Sequence, residues 1–360
     1  MRETAVTIRS VTIRTVDAPL ERPVRTAVGA VESAPLVLID IATDEGVTGR
    51  AYIFGYTPVT LAPLKAFLDA IAGRLKGRAV APFRIAAEFE QSFRLLGRQG
   101  LVGMALAGLD MALWDALGRS LGVPVVRLLG GEPVPLPAYD SYGVVDPVAD
   151  RRALEASLTK GFRAIKIKIG DGDLARDIAM VSGVREIIGP DVALMVDFNQ
   201  SRTASEAIAR LDALARFDLA WVEEPVPAED LEGHARVRAA TTVPVQTGEN
   251  WWFPADMAHA IAAGACDYAM PDLMKIGGIT GWLRAMGQAE AASIPLSSHL
   301  FIEASAHVLA VTPTRHWLEF LDIAGAILVE RPMVVDGCVS ARGPGLGMDW
   351  DEAAVARFAA

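Results

Sequence analysis

The chain has 360 residues, and its 34 lysines and arginines against 44 aspartates and glutamates give a formal net charge of −10. This acidic balance argues against a nucleic-acid partner, because phosphate backbones are bound by clustered basic residues. A hydrophobic content of 52% excludes a disordered chain, and two cysteines are too few for a disulfide framework.

No apolar run approaches the ~18 residues that a membrane span requires. The most apolar stretch, Leu101 to Leu117, contains Asp110 and Asp115 and is therefore predicted to be a buried amphipathic helix. The amino-terminal segment alternates apolar and polar residues and lacks the apolar core of a signal peptide. We expect a cytoplasmic protein with no membrane partner.

The first 125 residues predict an α+β domain, because strand patterns come before helical ones. Apolar and polar residues alternate at period two over 6–16 and 34–43, as in half-buried strands. Helical patterns follow over 59–75 and 101–121. A segment rich in turn residues, 129–133, marks the end of this domain.

Residues 126–328 change to short apolar strands that alternate with helices. Several strand pairs recur at roughly 25 residues, the size of one βα unit, and eight such units close a (β/α)₈ barrel. A doubly wound sheet would also fit the alternation, but its G-x-G-x-x-G turn is absent after the first strand. The predicted strands cover 134–139, 164–169, 193–197, 220–223, 244–247, 268–270, 295–298 and 317–320.

The chain is thus predicted to be an α/β protein, a (β/α)₈-type barrel preceded by an α+β domain. The bounds are 1–125 for the first domain, 126–328 for the barrel and 329–360 for a carboxyl-terminal segment. This last segment has two short strand signals and a final helix from Asp351. Because it is too short to fold alone, we expect it to pack on the first domain.

Polar and charged residues stand at the carboxyl ends of seven consecutive predicted strands, where barrels carry their reacting groups. A charge at the end of an apolar strand is costly to bury unless it is paired or bound to a metal. One such residue would mean little, but seven strands in a row predict an active site. The residues are Lys166, Lys168, Asp197, Asn199, Glu223, Glu249, Asp272, His299 and Glu319.

Asp197, Glu223 and Glu249 lie on adjacent predicted strands, so their carboxylates should converge. Three oxygen ligands without histidine or cysteine suit Mg²⁺ rather than zinc. The alternative for each acid alone is a helix cap or a salt bridge.

Lys166 and Lys168 alternate with one apolar residue, so both ammonium groups should face into the barrel. Like charges in a partly dry site lower a lysine pKa and predict a general base, although the pair could simply balance nearby carboxylates. Asp272 and His299 lie across the barrel, where the carboxylate would orient the imidazole and raise its basicity.

A divalent ion with a base on each side suits abstraction of a proton α to a carboxylate, because the metal neutralises the charge of the enediolate. Glu319 could donate a hydrogen bond to that charge if its carboxyl group stays protonated. The alternative for Glu319 is a salt bridge at the mouth of the barrel.

At these residues the chain resembles the enolase superfamily, and more narrowly its mandelate racemase and muconate lactonizing enzyme family. A lysine or histidine base that works with magnesium is established chemistry of this superfamily, and the spacing of the residues does not by itself establish it here. The resemblance covers essentially the whole chain. The segments that carry it are 23–29, 243–251, 270–278 and 297–301.

The resemblance implies a mandelate-like racemase that acts on a small-molecule carboxylate. Asp197, Glu223 and Glu249 would bind Mg²⁺, with Mn²⁺ as a substitute. Lys168 would be the base for the (S)-enantiomer and His299, held by Asp272, the base for the (R)-enantiomer. The remaining implied contacts are Lys166 and Ser141 to the substrate carboxylate, Asn199 to the α-hydroxyl, and Glu319 as the acid.

The resemblance also implies that the first domain caps the barrel mouth and that the chain forms a homo-oligomer, an octamer. The capping positions are mostly apolar, as an aryl or unsaturated side chain of a 2-hydroxy acid would require, although each could be ordinary core. Tyr142, Arg98 and Trp252 depart from the family pattern and leave substrate size open. The capping positions are Val24, Val28, Val31, Phe54, Tyr56 and Leu321.

Two other functions stay open. An acid-sugar dehydratase would use the same metal and one base, but its polyol substrate needs polar groups where Val24, Val28 and Val31 stand. A non-catalytic binding protein would have lost some of the acids and bases, and all of them are present.

Overall fold

The computed structural model describes residues 6–26 and 29–360, so Val28 lies outside the described residues. Three antiparallel strands form the first sheet, and they run longer than the alternation predicts because the first two make one extended hairpin. Its register shifts between Pro19 and Val24, where five steps along one strand face two on the other. The strands are β1 (Ile8–Thr26), β2 (Gly29–Thr43) and β3 (Thr48–Phe54).

Helices that follow this sheet bury its apolar face. Among the residues that the structure describes, only the third of these helices is long and apolar enough to cross a membrane, but 78% of its apolar stretch is buried inside the protein. It packs on β3 and is therefore a core helix, as predicted. The helices are α1 (Leu61–Ala72), α2 (Pro82–Ser92), α3 (Leu101–Leu121) and α4 (Val125–Leu128).

Parallel strands build the second sheet in the spatial order β10-β4-β5-β6-β7-β8-β9. From β5 to β9 each strand pairs with its predecessor in the chain, and β10 pairs with β4, so that the sheet curls towards closure. The strands are β4 (Leu136–Val144), β5 (Ala164–Lys168), β6 (Ala193–Asp197), β7 (Leu219–Glu223), β8 (Val245–Thr247), β9 (Tyr268–Ala269) and β10 (Leu318–Phe320).

The predicted strand at 295–298 is not a regular strand, which corrects the sequence prediction. Single bridges join Leu296 to Ala269 on one side and to Arg315 on the other. Pro295 has no N–H to donate, so the segment cannot pair fully at its start, although the Ser297 N–H still donates to the Ala269 oxygen and the Ser298 N–H to the Trp317 oxygen. The bridges still close the gap between β9 and β10.

Helices surround the parallel sheet, and their apolar faces pack against the outward side chains of its strands. Ile165 and Ile167 of β5, for example, share a core with Leu154 and Val181 from the flanking helices. The helices are α5 (Arg151–Thr159), α6 (Leu174–Ile188), α7 (Ala204–Leu214), α8 (Leu231–Ala240), α9 (Phe253–Ala262), α10 (Leu273–Ile276), α11 (Gly278–Ala292) and α12 (Ile302–Ala310).

The carboxyl-terminal segment contacts both parts of the molecule. Its strand β11 (Cys338–Val339) pairs with the start of β4, and its helix α13 (Glu352–Arg357) leads to Ala359, which bridges to Val16 of β1. The predicted α/β class, a (β/α)₈-type barrel with an amino-terminal α+β domain, is confirmed. The three sequence-based domain bounds stay a prediction.

Candidate active site

The carboxylates of Asp197, Glu223 and Glu249 converge at the carboxyl ends of β6, β7 and β8. One ligand oxygen from each lies within 4.8 Å of the others, and all three residues are buried. Burial raises the pKa of Glu223, and the Asp197 and Glu249 charges add to that rise against the opposing effect of Lys166. These three residues are named the acid cluster, and their hard oxygen donors can hold a divalent cation.

The two lysines of β5 face into the barrel, as their alternation predicts. Lys168 Nζ donates to Asp197 Oδ2 at 2.6 Å, and Lys166 Nζ lies 2.8 Å from Glu319 Oε1 and pairs with Glu223. Burial lowers the pKa of Lys168, but the charges of Asp197, Glu249 and Glu223 together outweigh it and raise that pKa above its ordinary value. The predicted lowering is therefore wrong for this arrangement, because the like charge of Lys166 acts more weakly than Asp197.

His299 approaches the acid cluster from the other end. Its Nδ1 lies 2.7 Å from Asp272 Oδ2, and its Nε2 lies 3.3 Å from Glu249 Oε2. Burial lowers the pKa of His299, but the charges of Glu249, Glu319 and Asp272 outweigh it and raise that pKa to about 9. The predicted Asp272–His299 pair is thus present, and the imidazole is strongly basic.

Glu319 lies between Lys166 and His299 and accepts a hydrogen bond from the Leu300 N–H at 3.0 Å. Burial raises the pKa of Glu319, but the charges of Lys166 and His299 outweigh it and lower that pKa to about 2. The protonated carboxyl group that the sequence prediction required is therefore disfavoured, and the predicted alternative, an ion pair, is what the structure contains.

Ser141 and Asn199 border the same place. Ser141 is buried and pairs in register with Lys166 on the neighbouring strand. Asn199 donates through Nδ2 to Asp197 Oδ2 at 2.9 Å, while its Oδ1 has no hydrogen-bond partner among the described residues. That oxygen is available to a donor on a bound molecule.

The outer part of the β1–β2 hairpin, Ala18–Thr26 and Gly29–Ala34, is called the lid hairpin below. Val24 and Val31 pair across it, Val24 being buried and Val31 half-buried. The Phe54 and Tyr56 rings lie 4.6 Å apart at the end of β3, with Tyr56 exposed. Leu321, half-buried, stands two residues after Glu319.

Three polar residues beside the acid cluster were not predicted to act in the site. Lys275 Nζ donates to Asn250 Oδ1 at 2.5 Å and lies 4.9 Å from the Tyr56 ring centroid, and Asn250 Nδ2 donates to Glu224 Oε1 at 2.7 Å. Glu224 is fully buried. The sequence offered a signal for each of them, since Glu224 and Asn250 adjoin Glu223 and Glu249 of the acid cluster, and Lys275 belongs to the 270–278 segment.

The other histidines make their contacts outside the acid cluster. His307 Nδ1 accepts a hydrogen bond from the Val126 N–H at 3.0 Å, and burial lowers the pKa of His307 to about 4. His316 packs 5.7 Å from the Trp221 ring, and burial lowers its pKa to about 4. His234 is buried next to the backbone of Asp230, and His259 is exposed.

Family models match both parts of the chain. Residues 8–130 match the amino-terminal domain of mandelate racemase and muconate lactonizing enzyme, and residues 149–354 match the enolase carboxyl-terminal-domain-like model. The chain belongs to the mandelate racemase and muconate lactonizing enzyme family of the enolase superfamily. The sequence-based recognition is therefore confirmed, and the chain is an enzyme of this superfamily.

Solved structures and curated relatives of this family differ in the reactions they carry. A Bradyrhizobium enolase complexed with magnesium and mandelic acid is 57% identical, with a TM-score of 0.98 over 99% of both chains. The 3,6-anhydro-alpha-L-galactonate cycloisomerase of Streptomyces coelicolor is 34% identical over 92% of this chain and 93% of its own. The L-talarate/galactarate dehydratase of Salmonella typhimurium, liganded with magnesium and L-lyxarohydroxamate, is 27% identical, with a TM-score of 0.92 over 99% of this chain and 94% of its own.

The cofactor prediction is confirmed in two respects: the acid cluster can hold a metal ion, and these two structures contain magnesium. Because the relatives include a cycloisomerase and a dehydratase, family membership establishes the class of enzyme and leaves its individual reaction open.

Proposed function

We propose that the protein is a magnesium-dependent racemase of a 2-hydroxy acid with an aryl or unsaturated side chain, mandelate being the first to test. The observation that carries the proposal is a base at each end of one acid cluster. Lys168 contacts Asp197 at one end, and His299 contacts Glu249 at the other. Racemisation needs two bases, because the proton leaves from one face and returns on the other.

The capping positions support an apolar side chain on the substrate. Val24, Val31 and Phe54 carry no polar side-chain atoms, so a sugar hydroxyl against them would lose its hydrogen bonds to water without replacement. The 57% identical Bradyrhizobium protein binds mandelic acid, which has the side chain that such a lid accommodates.

A bound divalent ion would supply charge neutralisation for the substrate carboxylate. The described residues fit such an ion, because six buried carboxyl groups gather here against three ammonium groups and the basic His299 imidazole, so that further cationic charge is needed to balance them. The carboxyl groups belong to Asp197, Glu223, Glu224, Glu249, Asp272 and Glu319, and the ammonium groups to Lys166, Lys168 and Lys275.

Each side chain then has one task. Lys166 and Ser141 bind the substrate carboxylate, and Asn199 Oδ1 accepts a hydrogen bond from the α-hydroxyl group. Lys168 in its neutral form removes the α-proton of the (S)-enantiomer and His299 in its neutral form that of the (R)-enantiomer, and each returns a proton when the other has acted as base. A bound cation would offset the charges of Asp197 and Glu249 that raise the pKa of these two groups, and so would favour their neutral forms. Glu319 is ionised beside Lys166. It can act as an acid only if it takes up a proton when the substrate binds.

Dehydration of an acid sugar is the second candidate. The observation in its favour is the polar group of Lys275, Asn250 and Glu224, which could meet the hydroxyl groups of a longer substrate. The Salmonella dehydratase and the Streptomyces cycloisomerase both act on sugar acids, so the scaffold accepts them.

The deciding experiment compares kcat/KM for mandelate racemisation with kcat/KM for dehydration of a panel of hexarates and hexonates. Both assays use the magnesium-loaded enzyme, and a Lys168→Ala variant serves as the inactive control. We expect racemisation of mandelate without dehydration of the sugars. Efficient dehydration with no detectable mandelate racemisation would establish the second candidate instead.

A further inference from the structure

Arg22 leaves the lid hairpin at the place where its strand pairing is interrupted. Between Pro19 and Val24 the register shifts, so the residues between them are not held by β2. The Arg22 side chain spans instead to β4, the first strand of the barrel, and 36% of it is exposed. The interruption thus frees one side chain of the first sheet to contact the barrel.

The Arg22 guanidinium contacts three consecutive residues of β4. Its Nη2 donates to Asp140 Oδ1 and to the Ser141 carbonyl oxygen, both at 2.7 Å. Its Cζ lies 3.6 Å from the centroid of the Tyr142 ring, in a cation–π arrangement. A planar guanidinium satisfies all three contacts at once, which a lysine could not do.

The receiving side of β4 is held rigidly. Asp140 and Tyr142 share one face of the strand, and both connect to Ser157 of α5. The Tyr142 hydroxyl lies 2.6 Å from Ser157 Oγ, and Ser157 Oγ donates to Asp140 Oδ2 at 2.5 Å. Asp140 and Tyr142 are therefore held by hydrogen bonds that do not involve Arg22.

The backbone of the lid hairpin also touches β4 close by. A Cβ atom added to Gly143 would lie 2.4 Å from the backbone N and O of Arg25, so only glycine permits this approach. Ser141, whose carbonyl oxygen accepts from Arg22, pairs with Lys166 inside the barrel. The contacts of Arg22 therefore join the lid hairpin to the strand that carries a proposed carboxylate-binding residue.

We propose that Arg22 is a positioning residue that fastens the lid hairpin to β4, with Asp140 and Tyr142 as its platform, and so fixes Val24 and Val31 over the substrate side chain. The role in substrate binding rests on the proposed function, whereas the attachment of the hairpin does not. Tyr142, which departs from the family pattern, provides the ring on which the Arg22 guanidinium stacks.

The first test measures amide hydrogen exchange in the lid hairpin of the magnesium-loaded enzyme without substrate. Arg22→Met should speed exchange of the hairpin amides by about tenfold or more, because charge-assisted hydrogen bonds are lost. Arg25→Met is the matched control, since it removes the same charge from the same hairpin but loses only an exposed ion pair with Asp150. Unchanged exchange in Arg22→Met, or an equal increase in Arg25→Met, would overturn the proposal.

The second test is kinetic and separates positioning from a merely structural role. For Arg22→Met, we expect KM for mandelate to rise about tenfold with kcat within about threefold, because the hairpin must be ordered at the expense of binding. A fall in kcat at constant KM, or wild-type constants, would contradict the proposal. If the wild type does not turn over mandelate, the proposed function fails and hydrogen exchange alone decides the role of Arg22.

A lysine variant keeps the proposal testable if Arg22→Met does not fold. Arg22→Lys retains the charge opposite Asp140 but loses the planar stack on Tyr142 and the simultaneous bond to Ser141. The amides of its lid hairpin should exchange faster than those of the wild type and, where Arg22→Met folds, more slowly than in that variant. Exchange at the wild-type rate in a folded Arg22→Lys enzyme would show that the three-point contact is not needed.

Discussion

Each carboxylate of the acid cluster owes its properties to the charges that surround it. Glu223 contacts Lys166 on one side and faces Asp197 and Glu249 on the other, with no exposure to solvent. Removing its charge should therefore affect cation binding more than removing a charge outside the cluster.

We predict that Glu223→Gln lowers magnesium affinity by more than the ~10- to 100-fold that loss of an outer-shell partner typically costs. Isothermal titration of magnesium into the purified protein measures the change. Glu224→Gln, a substitution at the adjacent buried position, is the control and should cost less. Equal losses in the two variants would contradict the assignment of Glu223 to the cluster.

The sequence predicted which side chains meet but not their protonation states. Strand spacing is enough to bring Asp197, Glu223 and Glu249 together, because the carboxyl ends of parallel strands lie at one edge. The pKa of Lys168 and that of Glu319 depend on which opposite charge lies within about 3 Å, and spacing along the chain does not contain that distance. The expected lowering of the Lys168 pKa is wrong for this reason, whereas for Glu319 the ion pair, the stated alternative, is present.

Buried polar contacts between helices join the first domain to the barrel. Asp110 of α3 accepts from the Thr280 N–H at 2.9 Å and from Thr280 Oγ1 at 2.6 Å. A Cβ atom on Gly278, which has a positive φ of 72°, would lie 2.4 Å from Asp110 Oδ2. Burial raises the pKa of Asp110 to about 7, against the hydrogen bonds from Thr280.

This raised pKa predicts a pH-dependent stability. The folded state binds the Asp110 proton more tightly than the unfolded state, so its contribution is full below the ordinary value of 3.8 and is lost as the pH rises to about 7. The melting temperature of the wild type relative to Asp110→Asn should therefore fall between pH 4 and pH 7 and level off above. Melting curves across this range are the measurement, and a constant difference would contradict the raised pKa.

Regular elements were predictable from the sequence wherever a pattern ran for several residues. The α3 helix and the strands from β4 to β7 agree with the prediction within a few residues, because their apolar periodicity is long or regular. The 295–298 segment failed because four residues beginning with proline carry little periodic signal. The contact of Arg22 with β4 depends on an interrupted strand pairing, which no local pattern encodes.

At the scale of the whole molecule, cation binding should stabilise the fold. The acid cluster draws its carboxylates from the ends of three strands, so it exists only in the folded state. An ion that binds there shifts the unfolding equilibrium towards the folded state. Free magnesium at a hundred times its dissociation constant contributes about 2.7 kcal/mol, which should raise the melting temperature by several degrees. Scanning fluorimetry with magnesium or with a chelator measures it, and the same rise in Glu223→Gln would contradict this origin.

Assembly of the chain into a homo-oligomer, an octamer by family resemblance, stays a prediction. Leu95 and Leu96, between α2 and α3, are exposed apolar side chains that an interface between copies could cover. Light scattering of the purified protein gives the mass directly, and a monomer would exclude the oligomer.

The central claim, that two bases serve opposite enantiomers, has one most direct test. The α-proton of (S)- and of (R)-mandelate is followed by NMR in deuterium oxide with the magnesium-loaded His299→Asn variant. Because Lys168 remains in contact with the intact acid cluster, exchange of the (S)-proton should persist while exchange of the (R)-proton is lost. Loss of both exchanges at wild-type magnesium affinity, or retention of both, would contradict the two-base account.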